Sequence, residues 1–129
     1  MSTAKQVALS IPPEAEYVSL VRLTASGVAN QCNFDIDSIE DIKVCVSEVL
    51  SQYISLSKSQ VKPITIIFDI TDTVCSITLT AEAINRDLLF TSETGQFAFA
   101  ILETLMDEVY LSGDQIASIR LTKMRGVFE

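Results

Sequence analysis

Residues able to do chemistry are few in this chain, and they are mostly acids and amides. Glu48 and Gln52 stand four positions apart. On a helix that spacing places a carboxylate and an amide on one face, one turn apart. Taken alone, such a pair reads as the solvated side of an amphipathic helix. Glu103, Asp107 and Glu108 form a second acidic group. Paired carboxylates can serve as acid and base, but a solvated acidic face is the simpler reading. Histidine is absent. That removes Ser–His triads, histidine-ligated metals and imidazole proton transfer. Ser47, Ser51, Ser55, Ser57 and Ser59 run through the same stretch as Glu48. None has a base beside it, and they read as polar helix surface and a fraying end.

The elements that must position these residues follow from hydrophobic period. Residues 6–11 alternate in part and meet Pro12-Pro13, a short strand ended by prolines. Tyr17, Leu20, Val21, Thr24 and Val28 recur at helical spacing, giving helix one, with two glutamates in its first turn. Gly27 weakens that helix near its end. Residues 35–37 break the pattern, and Asp37 or Ser38 can cap the next helix. Helix two then spans residues 38–57, with Ile39, Ile42, Val46, Val49, Leu50 and Tyr53 on its apolar face.

After a loop at 57–63, ITIIFDI and VCSITLT flank Thr71-Asp72-Thr73 and predict an antiparallel hairpin. A polar stretch, AEAINRD, leads into a weak segment at 88–90. Helix three is expected over 91–109. It is apolar nearly all round, so it should be buried or covered by a partner. Two short strands around Ser112-Gly113-Asp114 complete the chain, with a short tail, MRGVFE. The order β-α-α-β-β-α-β-β predicts an α+β two-layer sandwich. A mixed, mostly antiparallel sheet would be covered on one face by three helices.

At 129 residues the chain fits a single domain, 1–129, large enough to bury a core without disulfide or metal staples. The net charge of −8 argues against phosphate backbones as direct partners. Only Lys123 and Arg125 approach a basic cluster. Cys32, Cys45 and Cys75 lie in apolar surroundings outside any CxxC pair, as buried thiols do in a reducing compartment. The N-terminus lacks a signal-peptide core, and no apolar run approaches the roughly 20 residues that span a bilayer. A cytoplasmic protein without membrane contact is expected. Tyr17, Tyr53 and Tyr110 read as core-edge or interface residues.

Four stretches carry a resemblance: EYVSLVRLTASGVAN in helix one, SIEDIKVCVSEVLSQ in helix two, ILETLMDEV around the end of helix three, and IRLTK in the last strand. Together they resemble the histidine-kinase-like (Bergerat, GHKL) ATPase fold. Within it they resemble the bacterial anti-sigma factors that double as serine kinases in stress and sporulation control. The resemblance implies a homodimer that captures a sigma factor and releases it to an anti-anti-sigma antagonist. In active members the fold binds Mg-ATP and phosphorylates a serine of that antagonist.

The resemblance also implies three nucleotide motifs, and each is altered. The first pairs a glutamate with an asparagine that helps hold magnesium. Glu48 fills the first position, but Gln52, one methylene longer, fills the second. Magnesium asks for near-octahedral geometry at roughly 2.1 Å, so the displaced amide weakens the site. The second motif is Asp-x-Gly, for adenine. Here LTAEA puts Thr80 near the aspartate position and Glu82 near the glycine, to within a residue or two of register. The third is a glycine turn that cradles phosphates at a helix start. Its two glycines fall on Gln96 and Ala98, and only Gly95 survives, one position early. Residues 86–94 are also too few for an ATP-covering lid.

Phosphoryl transfer depends almost wholly on positioning and charge neutralisation, so these changes point away from it. The expectation is an anti-sigma-like regulator without kinase activity or resident cofactor. ATP and magnesium would bind only if the altered pocket still accepts them. The alternatives are an active ATP-dependent serine kinase and a scaffold docked to a phosphatase or sensor. Arg22 matches an arginine that related anti-sigma factors turn toward their partner, although an arginine there can equally snorkel along its own helix. The acidic group at Glu103, Asp107 and Glu108 could steer a basic sigma surface.

Overall fold

A hairpin lies at the heart of the sheet. In the computed structural model, which describes residues 5–57, 62–82, 84–113 and 116–125, β2 (Ile64–Ile70) pairs antiparallel with β3 (Val74–Glu82). Thr71 closes the turn: its N–H donates to Val74 O at 2.9 Å, and its hydroxyl accepts from Val74 N at 3.1 Å. Ile64, Ile66, Phe68 and Ile70 on β2 are buried, as are Cys75, Ile77, Leu79 and Ala81 on β3. The residues between them are only partly covered. This period of two gives the sheet an inner and an outer face.

β1 (Lys5–Ile11) adds beside β2, and β5 (Ile116–Met124) adds beside β3 with β4 (Glu108–Ser112) at its far edge. The order is β1-β2-β3-β5-β4, and all four pairings are antiparallel. The expected sandwich is therefore present, without the parallel pairing that a mixed sheet allowed. The β4–β5 connection turns at Gly113, whose φ of +91° a side chain would not tolerate. Asp114, expected in that turn, lies outside the described residues. So do residues 58–61 of the expected loop, Ser59 among them, and the last four residues of the tail.

Three helices pack on the inner face. α1 (Val18–Gln31) follows a 3-10 turn, Ala15–Tyr17, and buries Val21, Ala25, Val28 and Ala29. α2 (Ile36–Leu56) buries Ile42, Cys45, Val46, Val49, Leu50 and Tyr53. Its cap is Asp35, whose carboxylate accepts from Ser38 N at 2.8 Å, two or three residues before the cap the sequence suggested. The earlier cap wins because Asp35 is extended while Asp37 already sits in the first helical turn. α3 (Glu93–Leu105) is capped by Ser92 and buries Gly95, Ala98 and Leu102. It stops four residues short of the expected end. Met106 turns extended, and Asp107 N joins Thr122 O at 2.9 Å to start the pairing of β4. No glycine or proline marks that stop, so the pattern overran it.

One continuous core joins the inner sheet face to all three helices. Tyr53, fully buried, donates its hydroxyl to Leu79 O at 2.6 Å and so ties α2 to β3. Lys123 on β5 donates to Leu105 O at 2.6 Å, at the electronegative end of α3, and lies 3.5 Å from Asp41 of α2. No described helix is long and apolar enough to cross a membrane.

Candidate functional site

Gln52 sits one turn before the end of α2, half-covered. Its Oε1 accepts a hydrogen bond from Phe90 N at 3.1 Å. Phe90 is therefore fixed in three ways. Its N–H meets the Gln52 amide, its ring lies 5.2 Å from that of Phe99 on α3, and its Cα crowds Gly95. Its φ is +60°, a left-handed conformation that costs a bulky residue of order 1–3 kcal/mol and persists only where surroundings hold it. Leu89 and Phe90 are both buried.

The segment around them is tied down by its own polar groups. Asn85 accepts from Asp87 N at 2.9 Å and opens a 3-10 turn, Arg86–Leu88. The Thr91 hydroxyl donates to Leu88 O at 2.9 Å, and Gln96 Nε2 donates to Thr91 O at 3.1 Å. The Ser92 hydroxyl accepts from Gly95 N at 3.0 Å. A Cβ on Gly95 would meet Phe90 Cα at 2.8 Å and Phe90 C at 3.1 Å. Gly95 has no positive φ. Close approach to Phe90 explains this glycine without any phosphate.

Of the residues singled out in sequence, Gln52, Gly95 and Gln96 come together around this segment. Glu48 lies one turn earlier on α2, half-covered, with no hydrogen bond or ion pair among the described residues. Thr80 and Glu82 are not part of the cluster. Thr80 points to the outer face of the sheet, where its hydroxyl lies 3.4 Å from that of Ser118. Glu82, exposed at the end of β3, pairs with Lys62 at 3.5 Å. The helix-facing neighbours in that strand are Leu79 and Ala81, which are fully buried or nearly so. Sequence reasoning missed Leu89 and Phe90. Two adjacent large apolar residues after a polar stretch were the available signal.

Arg22 lies on α1 beside the exposed Leu20 and Leu23, the latter 70% exposed. Its Nε is buried and has no hydrogen-bond partner among the described residues. An unmet buried donor of this kind costs about 1–3 kcal/mol. The acidic group separates: Glu103 is exposed on α3, whereas Asp107 lies past the helix and accepts from Met124 N at 2.6 Å. Glu108 is exposed in β4. Tyr110 is exposed on the outer sheet face under the Arg120 guanidinium, 5.5 Å from its centroid. Ser57 departs from the fraying end expected of it: it is buried and donates to Tyr53 O at 2.6 Å.

All three cysteines are fully buried and free. Burial pushes the Cys45 thiol up to about 12, helped by the Asp41 charge. Burial does the same to Cys75, also to about 12, with Cys32 adding to it. Thiols held in their neutral form this way are packing groups.

A five-stranded antiparallel sheet under three helices is a fold this chain shares with a solved structure that includes an RsbW domain. A crystal structure of the RsbU and RsbW domains of Rv1364c from Mycobacterium tuberculosis superposes with a TM-score of 0.74 over 93% of this chain, at 14% identity. The chain spans only 32% of that longer protein. No family model matches the sequence. Among curated relatives, the serine-protein kinase RsbW of Bacillus cereus (strain B4264) is 28% identical over 139 residues, covering 95% of this chain and 87% of its own length. The serine-protein kinase RsbW of Bacillus mycoides (strain KBAB4) is 29% identical over 140 residues, with the same coverage. The chain is a homologue of the RsbW serine-protein kinases.

Proposed function

We infer that this protein is an anti-sigma-like regulator: it captures a sigma factor or its anti-anti-sigma antagonist in a partner switch, and it does so without kinase activity. One observation carries the second half of this reading. The Gln52 amide, which stands where a magnesium-holding asparagine is expected, has its oxygen committed to Phe90 N. That bond closes the short segment over α2 and seats Leu89 and Phe90 in the core. The residues present do not fit a Mg-ATP site. Thr80 faces away from the helices, Leu79 and Ala81 offer no polar side-chain atom to adenine, and Gly95 is crowded by the Phe90 backbone.

The first half rests on α1. An arginine whose Nε has no acceptor among the described residues, next in sequence to exposed Leu20 and Leu23, is suited to an interface anchor. Arginine is among the residue types enriched at hot spots, and a partner carboxylate would pair with its guanidinium. The same reading makes the protein a cytoplasmic homodimer, which sedimentation velocity tests.

Two experiments separate the halves. Immobilised protein should recover a sigma factor from native cytosol, identified by mass spectrometry, and the Arg22→Glu variant should not. Recovery of only a phosphatase or sensor would favour a scaffold instead. Incubation with radiolabelled ATP and a candidate antagonist should give no phosphoserine. Stoichiometric phosphorylation would show an active kinase.

A further inference from the structure

α3 meets the rest of the protein along one side only. It buries Gly95, Ala98 and Leu102, and Phe99 packs on Phe90. The opposite side carries Phe97, 70% exposed, followed by Ala100, Ile101, Thr104 and Leu105 around a groove of about 240 Å³. A second groove, of about 540 Å³, continues from Phe97 past Glu93, Thr94 and Gln96. The stripe from Phe97 to Leu105 is about 12 Å long at 1.5 Å per residue, which matches two turns of a facing helix. A side chain as large as phenylalanine gains about 1.5–3 kcal/mol when it is covered.

The charges beside this stripe are all of one sign. Glu93 and Glu103 are the only charged side chains on α3, both exposed, and Glu108 follows at the start of β4. Lys123, the cation near its C-terminal end, is already committed to Leu105 O and Asp41. A second copy of this chain would bring the same acidic rim and a net charge of −8 against it. An anionic membrane surface or a nucleic acid would meet the same repulsion. The occupant that fits both features has apolar anchors at i, i+3, i+4 and i+7 and lysines or arginines beside them.

We propose that the outer face of α3 is a docking groove for a basic amphipathic helix of another protein, separate from the α1 surface that carries Arg22. The stripe from Phe97 to Leu105 lies across the helix from Gly95 and Phe99, the α3 residues that meet Phe90.

The test uses the full-length protein and a fluorescein-labelled 18-residue peptide with leucines at i, i+3, i+4 and i+7 and lysines elsewhere. Controls are a scrambled peptide of the same composition and one with glutamates for lysines. Amide chemical-shift changes on titration with the first peptide should fall on residues of α3 and the start of β4. Phe97→Asp and Ile101→Asp should each weaken binding at least tenfold by anisotropy, and Arg22→Glu should leave it unchanged. Phe97 is exposed and Ile101 half-buried, and an unchanged Tm confirms that both variants fold. Affinity should fall as salt rises. Equal binding of the scrambled peptide, shifts located elsewhere, or insensitivity to Phe97→Asp would overturn the proposal. So would binding of the protein to phosphatidylglycerol vesicles, or self-association abolished by Phe97→Asp, since each names a different occupant.

Discussion

Two side chains with polar heads lie part-way into this molecule, and their situations are opposite. Gln52, on α2, has its carbonyl oxygen matched to the N–H of Phe90. Arg22, on α1, has a buried Nε that meets no acceptor among the described residues. The first is a finished internal contact that links two elements 38 residues apart in sequence. The second is an unfinished one at a surface bordered by Leu20 and Leu23. A protein tolerates an unmet donor where an outside group can complete it. Under the proposed function, the contrast sets a contact the domain completes within itself against a surface offered to a partner. It also keeps apart the two roles that the proposed function distinguishes, nucleotide binding and partner capture.

The contrast can be broken most sharply at Arg22. Replacing it with glutamate should weaken capture of the protein partner by about 100-fold, the scale of a central charged anchor. Thermal stability should hardly move, since no described residue depends on that side chain. Unaltered affinity in biolayer interferometry would remove Arg22 from the interface.

Next in size is the matching change at the satisfied site. Gln52→Met keeps length and shape while deleting the acceptor for Phe90 N. It should cost about 1–3 kcal/mol in urea unfolding, the penalty for stranding a covered N–H. Exchange of the Phe90 amide proton should accelerate. The same replacement at position 22 should behave differently: Arg22→Met strands no described group and removes a donor unmet among the described residues. Its stability should stay within about 0.5 kcal/mol of the parent, or rise. Equal losses from both methionine variants would erase the distinction.

A smaller effect is expected at Gly95. Alanine favours a helix over glycine by about 1 kcal/mol. The added Cβ would nonetheless sit 2.8 Å from Phe90 Cα, against backbone that is already pinned. Overpacking of this kind costs about 1–3 kcal/mol, so Gly95→Ala should be neutral to destabilising in place of the usual gain. A clear stabilisation by calorimetry would mean that Phe90 can yield.

Much of this architecture was legible in the sequence because it is carried by period. Ile64 to Ile70 and Val74 to Glu82 are rich in β-branched residues and alternate apart from Ile67 and Val74, and the element order read from such patterns is the observed one. The same alternation held information about Thr80. It follows Ser76 and Thr78 on the polar side of VCSITLTAE, so its outward direction could have been read without a structure. The end of α3 was less accessible, because the chain leaves the helix at Met106 through strand pairing and not through a breaker residue. The Gln52–Phe90 contact was out of reach, since nothing local to either residue specifies the other. The burial of one nitrogen of Arg22 is likewise a property of packing. Gly95 shows the converse: the residue type was noticed, but its reason, a backbone crossing at close range, appears only in three dimensions.

The central claim is that the chain binds a protein while its former nucleotide site is filled by its own Leu89–Phe90 segment. Isothermal titration of the purified protein with Mg-ATP tests this most directly. The account predicts no saturable heat. A one-to-one isotherm with a micromolar dissociation constant would contradict it.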